Sequence, residues 1–260
     1  MLSGKSAIVT GSTSGIGLAI ARALAAEGCA VVLNSHEDVE EYERLRLEIA
    51  EESGAKVLFQ RADMGRTEDV HGLIEKALTA LGKVDILVNN VGIQHVAPIA
   101  EFPDENWDRI IAINLSSAFH TIKGVFAGMV ERRWGRIVNI ASAHGLVASP
   151  FKAAYVSAKH GLVGLTKVTA LEGAESGVTC NAICPGYVKT PLVEKQIEDQ
   201  AKAHGIPVED VIREIILAPQ PSKEFATVEQ VAALTIFLCS PAGSSMNGAA
   251  ITMDGGWTAR

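Results

Sequence analysis

Tyr155 and Lys159 stand one helical turn apart, a spacing that sets a phenol beside an ammonium on one helix face. Such a pair does proton-transfer chemistry. A phenol titrates near pH 10, so acting as a base near neutrality needs its pKa to fall by about 3, roughly 4 kcal/mol in favour of the phenolate. Opposite charges about 4 Å apart at an effective dielectric of about 20 interact by about 4 kcal/mol, the size required. The spacing alone also fits a surface stack, so its weight comes from the other motifs.

TGSTSGIG, residues 10–17, leaves a β-branched run and opens a helix-length stretch. Glycines there permit a tight turn and close backbone approach, and a helix N-terminus offers free N–H groups to a pyrophosphate. An ordinary strand-to-helix turn reads the same way in isolation.

The elements that must position these residues follow a regular alternation. SAIVTG, AVVLN, KVLFQ, DILVNN, GRIVNIAS, VTCNAICPG and AAITMDGG read as strands, and amphipathic segments separate them: residues 15–28, Asp38 to Ser53, about Thr67 to Leu81, and the stretch holding WDRIIAINLSSAFHTIKGVFAGMV. Apolar strands each followed by a helix imply a parallel sheet covered on both faces, a doubly wound α/β fold whose ligands bind beyond the carboxyl ends of the strands. Residues 231–253 carry no charge, but Pro241, Gly243, Ser244, Ser245, Asn247 and Gly248 interrupt them, so they read as a helix, a turn and a buried strand rather than a membrane span.

With 260 residues, 48% of them hydrophobic, and no linker or low-complexity tract, one domain over 1–260 is expected. A net charge of −7 without a basic stripe argues against nucleic acid and anionic membranes as partners and leaves a small polar ligand. The first strand begins within six residues, too soon for a signal sequence, so a cytoplasmic protein is expected. Cys29, Cys180, Cys184 and Cys239 lie among apolar neighbours without metal-ligand spacing and read as buried reduced thiols, with no metal.

TGSTSGIG at 10–17, Asp63 after the third strand, NNVG at 89–92, Asn114, Ser142, Tyr155 with Lys159, and PGYVKT at 185–190 together resemble the short-chain dehydrogenase/reductase family over the whole chain. The resemblance implies a Rossmann sheet with a small helical substrate lid at about 190–222. It makes Tyr155 the general base in oxidation, has Lys159 lower its pKa, has Ser142 hold the substrate oxygen, and has Asn114 position a water linking Lys159 to solvent. It also implies that Gly11, Thr13, Gly15, Ile16, Gly17, Asp63, Asn90, Gly92, Tyr155, Lys159, Pro185, Gly186, Val188 and Thr190 bind the nicotinamide cofactor. Val91 departs from the family's usual alanine.

Charge after the second strand selects the cofactor. From Ala23 to Glu43 there is no Lys or Arg, Glu37, Asp38, Glu40 and Glu41 follow Asn34, Ser35 and His36, and Ser14 stands where NADP members often carry a base, so NAD is expected. The aspartate usual at that strand end is missing, and the ribose partner stays open.

On the substrate side, GIQH at 92–95, ASAHGLVAS at 141–149, Lys152, TPLVEKQI at 190–197, QPS at 220–222 and the terminal DGGWTAR are similar to family members that oxidise D-3-hydroxybutyrate. The similarity places Gln94, His144, Lys152 and Gln196 around a carboxylate, with Tyr187 and Trp257 on the apolar side. Tyr187 replaces a usual tryptophan, which implies looser selectivity toward longer 3-hydroxy acids. A dehydrogenase of another small hydroxy or sugar acid, a 3-oxoacyl thioester reductase, and a non-catalytic NAD-binding regulator remain alternatives. Ile110, Ile111, Phe119, Val125, Phe126, Leu162, Leu165 and Val168 exceed what one sheet face needs, and with the resemblance imply a homotetramer.

Overall fold

The β-branched runs become seven parallel strands: β1 (Ser6–Val9), β2 (Ala30–Ser35), β3 (Val57–Arg61), β4 (Ile86–Asn89), β5 (Gly135–Ile140), β6 (Val178–Pro185) and β7 (Ala250–Met253). This is a computed structural model, and it describes residues 2–37, 39–190, 193–194, 197–198, 201 and 205–259. The strand order is β3-β2-β1-β4-β5-β6-β7. Alternate side chains serve opposite layers, as a period of two requires: Ala7, Val9, Val31 and Leu33 join one core, and Ile8, Val32, Leu87 and Ile137 the other. Full burial of each Val, Ile or Leu contributes about 1.5–3 kcal/mol, so these strands anchor both layers.

The first layer holds α1 (Gly15–Ala26), α2 (Glu40–Ser53) and α7 (Val228–Cys239); the second holds α3 (Thr67–Leu81), α5 (Ser117–Glu131) and α6 (Ala153–Gly173). A reciprocal cap starts α7: Thr227 Oγ1 accepts from Gln230 N–H at 3.2 Å, and Gln230 Oε1 accepts from Thr227 N–H at 2.9 Å. Asp38, the expected start of α2, lies outside the described residues, and Val39 precedes its first turn.

Two expectations are corrected. The strand expected to be buried, β7, is largely half-exposed, because it is the last strand of the sheet and only β6 pairs with it. Of the surplus apolar residues, Ile110, Val125 and Leu162 are buried within the chain, whereas Phe119 and Val168 remain 47% and 53% exposed.

Two irregular segments bear on the site. Between α4 (Asp104–Ile111) and α5 the chain makes a π turn, Ala112–Ser116, centred on Asn114. Between β6 and α7 a longer excursion leaves the sheet and returns at a parallel bridge between Val188 and Ala226, slightly wider than the expected 190–222. Its described residues build a small apolar core from Ile197, Val211, Ile216 and Leu217, against which Tyr187 packs.

Candidate active site

The glycine turn is assembled by hydrogen bonds that cross strands. Asn34, buried at the end of β2, accepts from Gly11 N–H at 3.1 Å and donates to Gln60 and Ala62 carbonyls at 3.2 Å each. Asn90 Nδ2 donates to Thr10 and Gly11 carbonyls at 2.9 Å each. Gly11 and Gly15 adopt φ of +61° and +53°, the left-handed region that favours glycine. Gly17 lines neither described cavity: a Cβ there would overlap Gly11 O and Asn90 Nδ2, so its part is close packing of α1 on the turn. Val91 backs onto Gly11, where the missing Cβ leaves room for its bulk.

A cavity of about 430 Å³ opens above this turn, lined by Gly11, Thr13, Ser14, Gly15, Ile16, Asp63, Asn90 and Gly92. Ser14 makes no side-chain cap, so the first N–H groups of α1 are left to the cavity. These features fit a dinucleotide, with the pyrophosphate on the helix N-terminus. Ser35, His36, Tyr42 and Arg109 also line it, and sequence reasoning missed them as lining groups. The run of residues after β2 pointed to the first two; Tyr42 and Arg109 come from α2 and α4 and have no local signal. Arg61, in register with Ser35, donates from Nε to the His36 carbonyl at 3.1 Å, so the sheet brings a base near an end of the cleft where the local sequence holds none.

Ile16, Asn90, Gly92, Ile93 and Thr190 also line a second cavity of about 400 Å³, which makes one continuous cleft. Into the second part converge Gln94, Ser142, His144, Lys152, Tyr155, Lys159, Pro185, Gly186, Tyr187, Val188 and Trp257, every described substrate residue expected from the sequence. Gln196 lies outside the described residues.

Ser142, at the end of β5, hydrogen-bonds the Tyr155 hydroxyl, and its Oγ accepts from His144 N–H at 3.1 Å. Burial pushes the Tyr155 phenol above its ordinary value, and the Ser142 bond opposes that rise. Lys159 is buried and donates to the Ile140 carbonyl at 2.8 Å, with Nζ 5.6 Å from the Tyr155 ring centre. Burial brings its pKa down to about 8. Burial is thus the largest influence on the Tyr155 phenol and works against the lowering expected of Lys159.

Asn114 is spent on a bidentate clamp: Oδ1 accepts from Ile93 N–H and Nδ2 donates to Ile93 O, both at 2.9 Å. The π turn brings it there, and the clamp orients the chain between Gly92 and Gln94. The clamp uses one of the two N–H donors of Asn114 and one of the two lone pairs on Oδ1, which leaves a donor and a lone pair for a water link to Lys159.

The far wall is aromatic. Trp257 stacks on Tyr187 with ring centres 6.0 Å apart and meets His144 edge-on at 4.9 Å; His144 in turn meets Tyr155 at 5.9 Å. His144 Nε2 lies 2.9 Å from Ser149 Oγ, and burial, then Lys152, pushes its pKa down to about 4, so it is neutral near pH 7. Lys152 follows Phe151, whose φ of +68° is a left-handed conformation rare for an aromatic residue. Burial lowers the Lys152 pKa, and among the described residues it has no carboxylate partner.

The pairing of a phenol, a hydroxyl and a buried lysine at the mouth of a dinucleotide cleft is that of a dehydrogenase, and the comparisons agree. The short chain dehydrogenase family model matches residues 5–201. D-beta-hydroxybutyrate dehydrogenase of Rhizobium meliloti (strain 1021) is 56% identical over 98% of this chain and 99% of its own length. The protein of the same name from Cupriavidus necator is 54% identical, with both chains covered in full. The crystal structure of levodione reductase superposes with a TM-score of 0.91 at 30% identity, covering 100% of this chain and 99% of its own. With a family match over most of its length and relatives this close, the chain belongs to the short-chain dehydrogenase family and is an oxidoreductase that uses a nicotinamide cofactor.

Proposed function

We propose that this enzyme oxidises D-3-hydroxybutyrate to acetoacetate with NAD. The observation that carries the reading is Lys152: a cation half-buried in the substrate cavity, with no anion beside it among the described residues, is costly unless the ligand supplies one. Neutral Gln94 and His144 line the cavity with that cation, whose Nζ lies 5.8 Å from the centre of the Tyr187 ring, and the stacked Tyr187 and Trp257 supply an apolar wall, which suits a molecule with one carboxylate and one methyl. The relatives named D-beta-hydroxybutyrate dehydrogenase support the same substrate.

In this reading Tyr155 removes the proton of the substrate hydroxyl while Ser142 donates a hydrogen bond to the same oxygen. The bound cofactor supplies the hydride acceptor. Lys152, aided by Gln94 and His144, fixes the carboxylate and so the face of the carbinol carbon presented. A water serving Lys159 is assigned to Asn114, whose side chain, held by Ile93, keeps one N–H and one lone pair for it. NAD is favoured over NADP by Glu37, next to His36 at the cavity edge, where Arg61 is an opposing charge. The exposed Phe119, Val168 and Leu171 fit subunit contacts, and a cytoplasmic homotetramer completes the proposal.

NADH formation measured with separate enantiomers of 3-hydroxybutyrate tests the reading. Turnover of the D form with NAD is expected; activity confined to other alcohols would overturn it.

A further inference from the structure

Gln220 lines neither described cavity yet is 1% exposed, and both ends of its carboxamide are used. Its Oε1 accepts from Tyr187 N–H at 2.5 Å and its Nε2 donates to the Glu224 carbonyl at 2.7 Å. These two partners flank the Val188–Ala226 bridge, so one side chain ties together both strands of the neck through which the excursion leaves and rejoins the sheet. The surroundings leave it no slack. A Cβ on Gly186 would overlap Oε1, and one on Gly255 would stand 3.3 Å from Nε2.

The turn that carries Gln220 is braced. Its own N–H donates to Leu217 O at 3.1 Å, and Lys223 Nζ donates to Leu217 and Ala218 carbonyls at 3.0 Å each. On the other side of the neck, the Tyr187 ring lies parallel to Trp257 within 7°. Asp254 holds the segment bearing Trp257 by accepting from Gly256 N–H at 3.1 Å and Thr258 N–H at 2.8 Å.

We propose that Gln220 is a positioning residue that sets the depth of the apolar end of the substrate cavity, and with it the chain length of the 3-hydroxy acid accepted. It acts through the Tyr187 main chain, whose ring carries Trp257. The chain-length part rests on the substrate reading above; the placement of Tyr187 and Trp257 does not.

Gln220→Met keeps the buried volume and forfeits both hydrogen bonds, while Gln220→Glu keeps the shape. A carboxyl buried against the Glu224 carbonyl is driven toward its protonated form, which can still donate to that carbonyl and accept from Tyr187. For Gln220→Met, KM for 3-hydroxybutyrate should rise by about 5- to 100-fold, the span of one to two buried hydrogen bonds, with kcat within about 3-fold. NADH affinity should stay within about 2-fold, and the ratio of kcat/KM for 3-hydroxyvalerate over 3-hydroxybutyrate should rise at least about 5-fold. Gln220→Glu should match the parent ratio at low pH and move toward that of Gln220→Met as pH rises.

A purely structural residue would lower the melting temperature, NADH affinity and both substrates together; that outcome, or an unchanged chain-length ratio, overturns the proposal. Acrylamide quenching of Trp257 in a Trp107→Phe, Trp134→Phe background separates the two readings. Added quenching on Gln220→Met or Gln220→Glu at high pH is expected whatever the substrate, and its absence overturns the Gln220 assignment. If quenching rises but the parent oxidises no 3-hydroxy acid, only the substrate reading falls.

Discussion

The two halves of the cleft recognise their ligands by different means. On the nucleotide side, main chain faces the cavity: glycines at +61° and +53°, the uncapped start of α1, and strand ends pinned by Asn34 and Asn90. On the substrate side, side chains do: Lys152 after a strained Phe151, His144 against Ser149, and Tyr187 stacked on Trp257. A ligand read by backbone tolerates changes of side chain, which is why Val91 is absorbed behind Gly11. A ligand read by side chains depends on long-range supports, which makes that half the seat of specificity.

The largest effect should come at the junction of the halves. Tyr155→Phe should cost about 2 to 4 orders of magnitude in kcat while leaving NADH binding, titrated by fluorescence, nearly intact. Retained turnover would remove Tyr155 from the role of base.

Next is a change confined to the substrate half. Lys152→Ala should lower kcat/KM for 3-hydroxybutyrate by about 10- to 150-fold, the worth of one charge-assisted hydrogen bond, and leave cofactor binding alone. The methyl ester, which keeps the reacting alcohol and lacks the anion, should be a poor substrate of the parent enzyme and insensitive to the substitution. Equal losses for acid and ester would show that side-chain recognition of the carboxylate is misplaced.

The nucleotide half is tested by its one side-chain discrimination. NAD should exceed NADP in kcat/KM by more than about tenfold, or about 1.4 kcal/mol. Near-equal use would mean that Arg61 offsets Glu37 and that this half reads side chains more than its backbone geometry implies.

The smallest effect concerns acid. His144 titrates near 6.5 when unfolded and at about 4 when folded, so its contribution to stability is full above pH 6.5 and is lost as pH falls toward 4. Denaturant unfolding should show parent stability falling across that window, with about 1 to 3 kcal/mol of the fall missing in His144→Gln. An identical pH slope in both would place His144 outside the buried wall.

The same division explains what was legible in the sequence. The glycine turn, the Tyr155–Lys159 spacing and the strand–helix alternation are local patterns, and local patterns survive folding unchanged. Tyr42, Arg109 and Arg61 reach the nucleotide cavity or its edge from other helices and a neighbouring strand, where nothing nearby in sequence marks them. The exposure of β7 depends on its place at the end of the sheet order, which alternation alone does not reveal. The Ser149 contact of His144 and both bonds of Gln220 are likewise contacts of packing, and the burial that lowers the Lys159 pKa is set by packing too.

The π turn at Ala112–Ser116 also acts as a clutch between two helices. An α-helix advances about 100° per residue, so one surplus residue in the turn shifts the phase of everything beyond it by about that angle. Upstream, Ile110 of α4 is directed at Ala154 and Ala158 of α6; downstream, Ile122, Val125 and Met129 of α5 are directed at the sheet and α3. A continuous α-helix would present one stripe and could satisfy only one of these neighbours. The slip lets a single rod of chain grip the helix that bears the base with one end and the sheet with the other, and Asn114, at the slip itself, fixes the loop that floors the cleft between them.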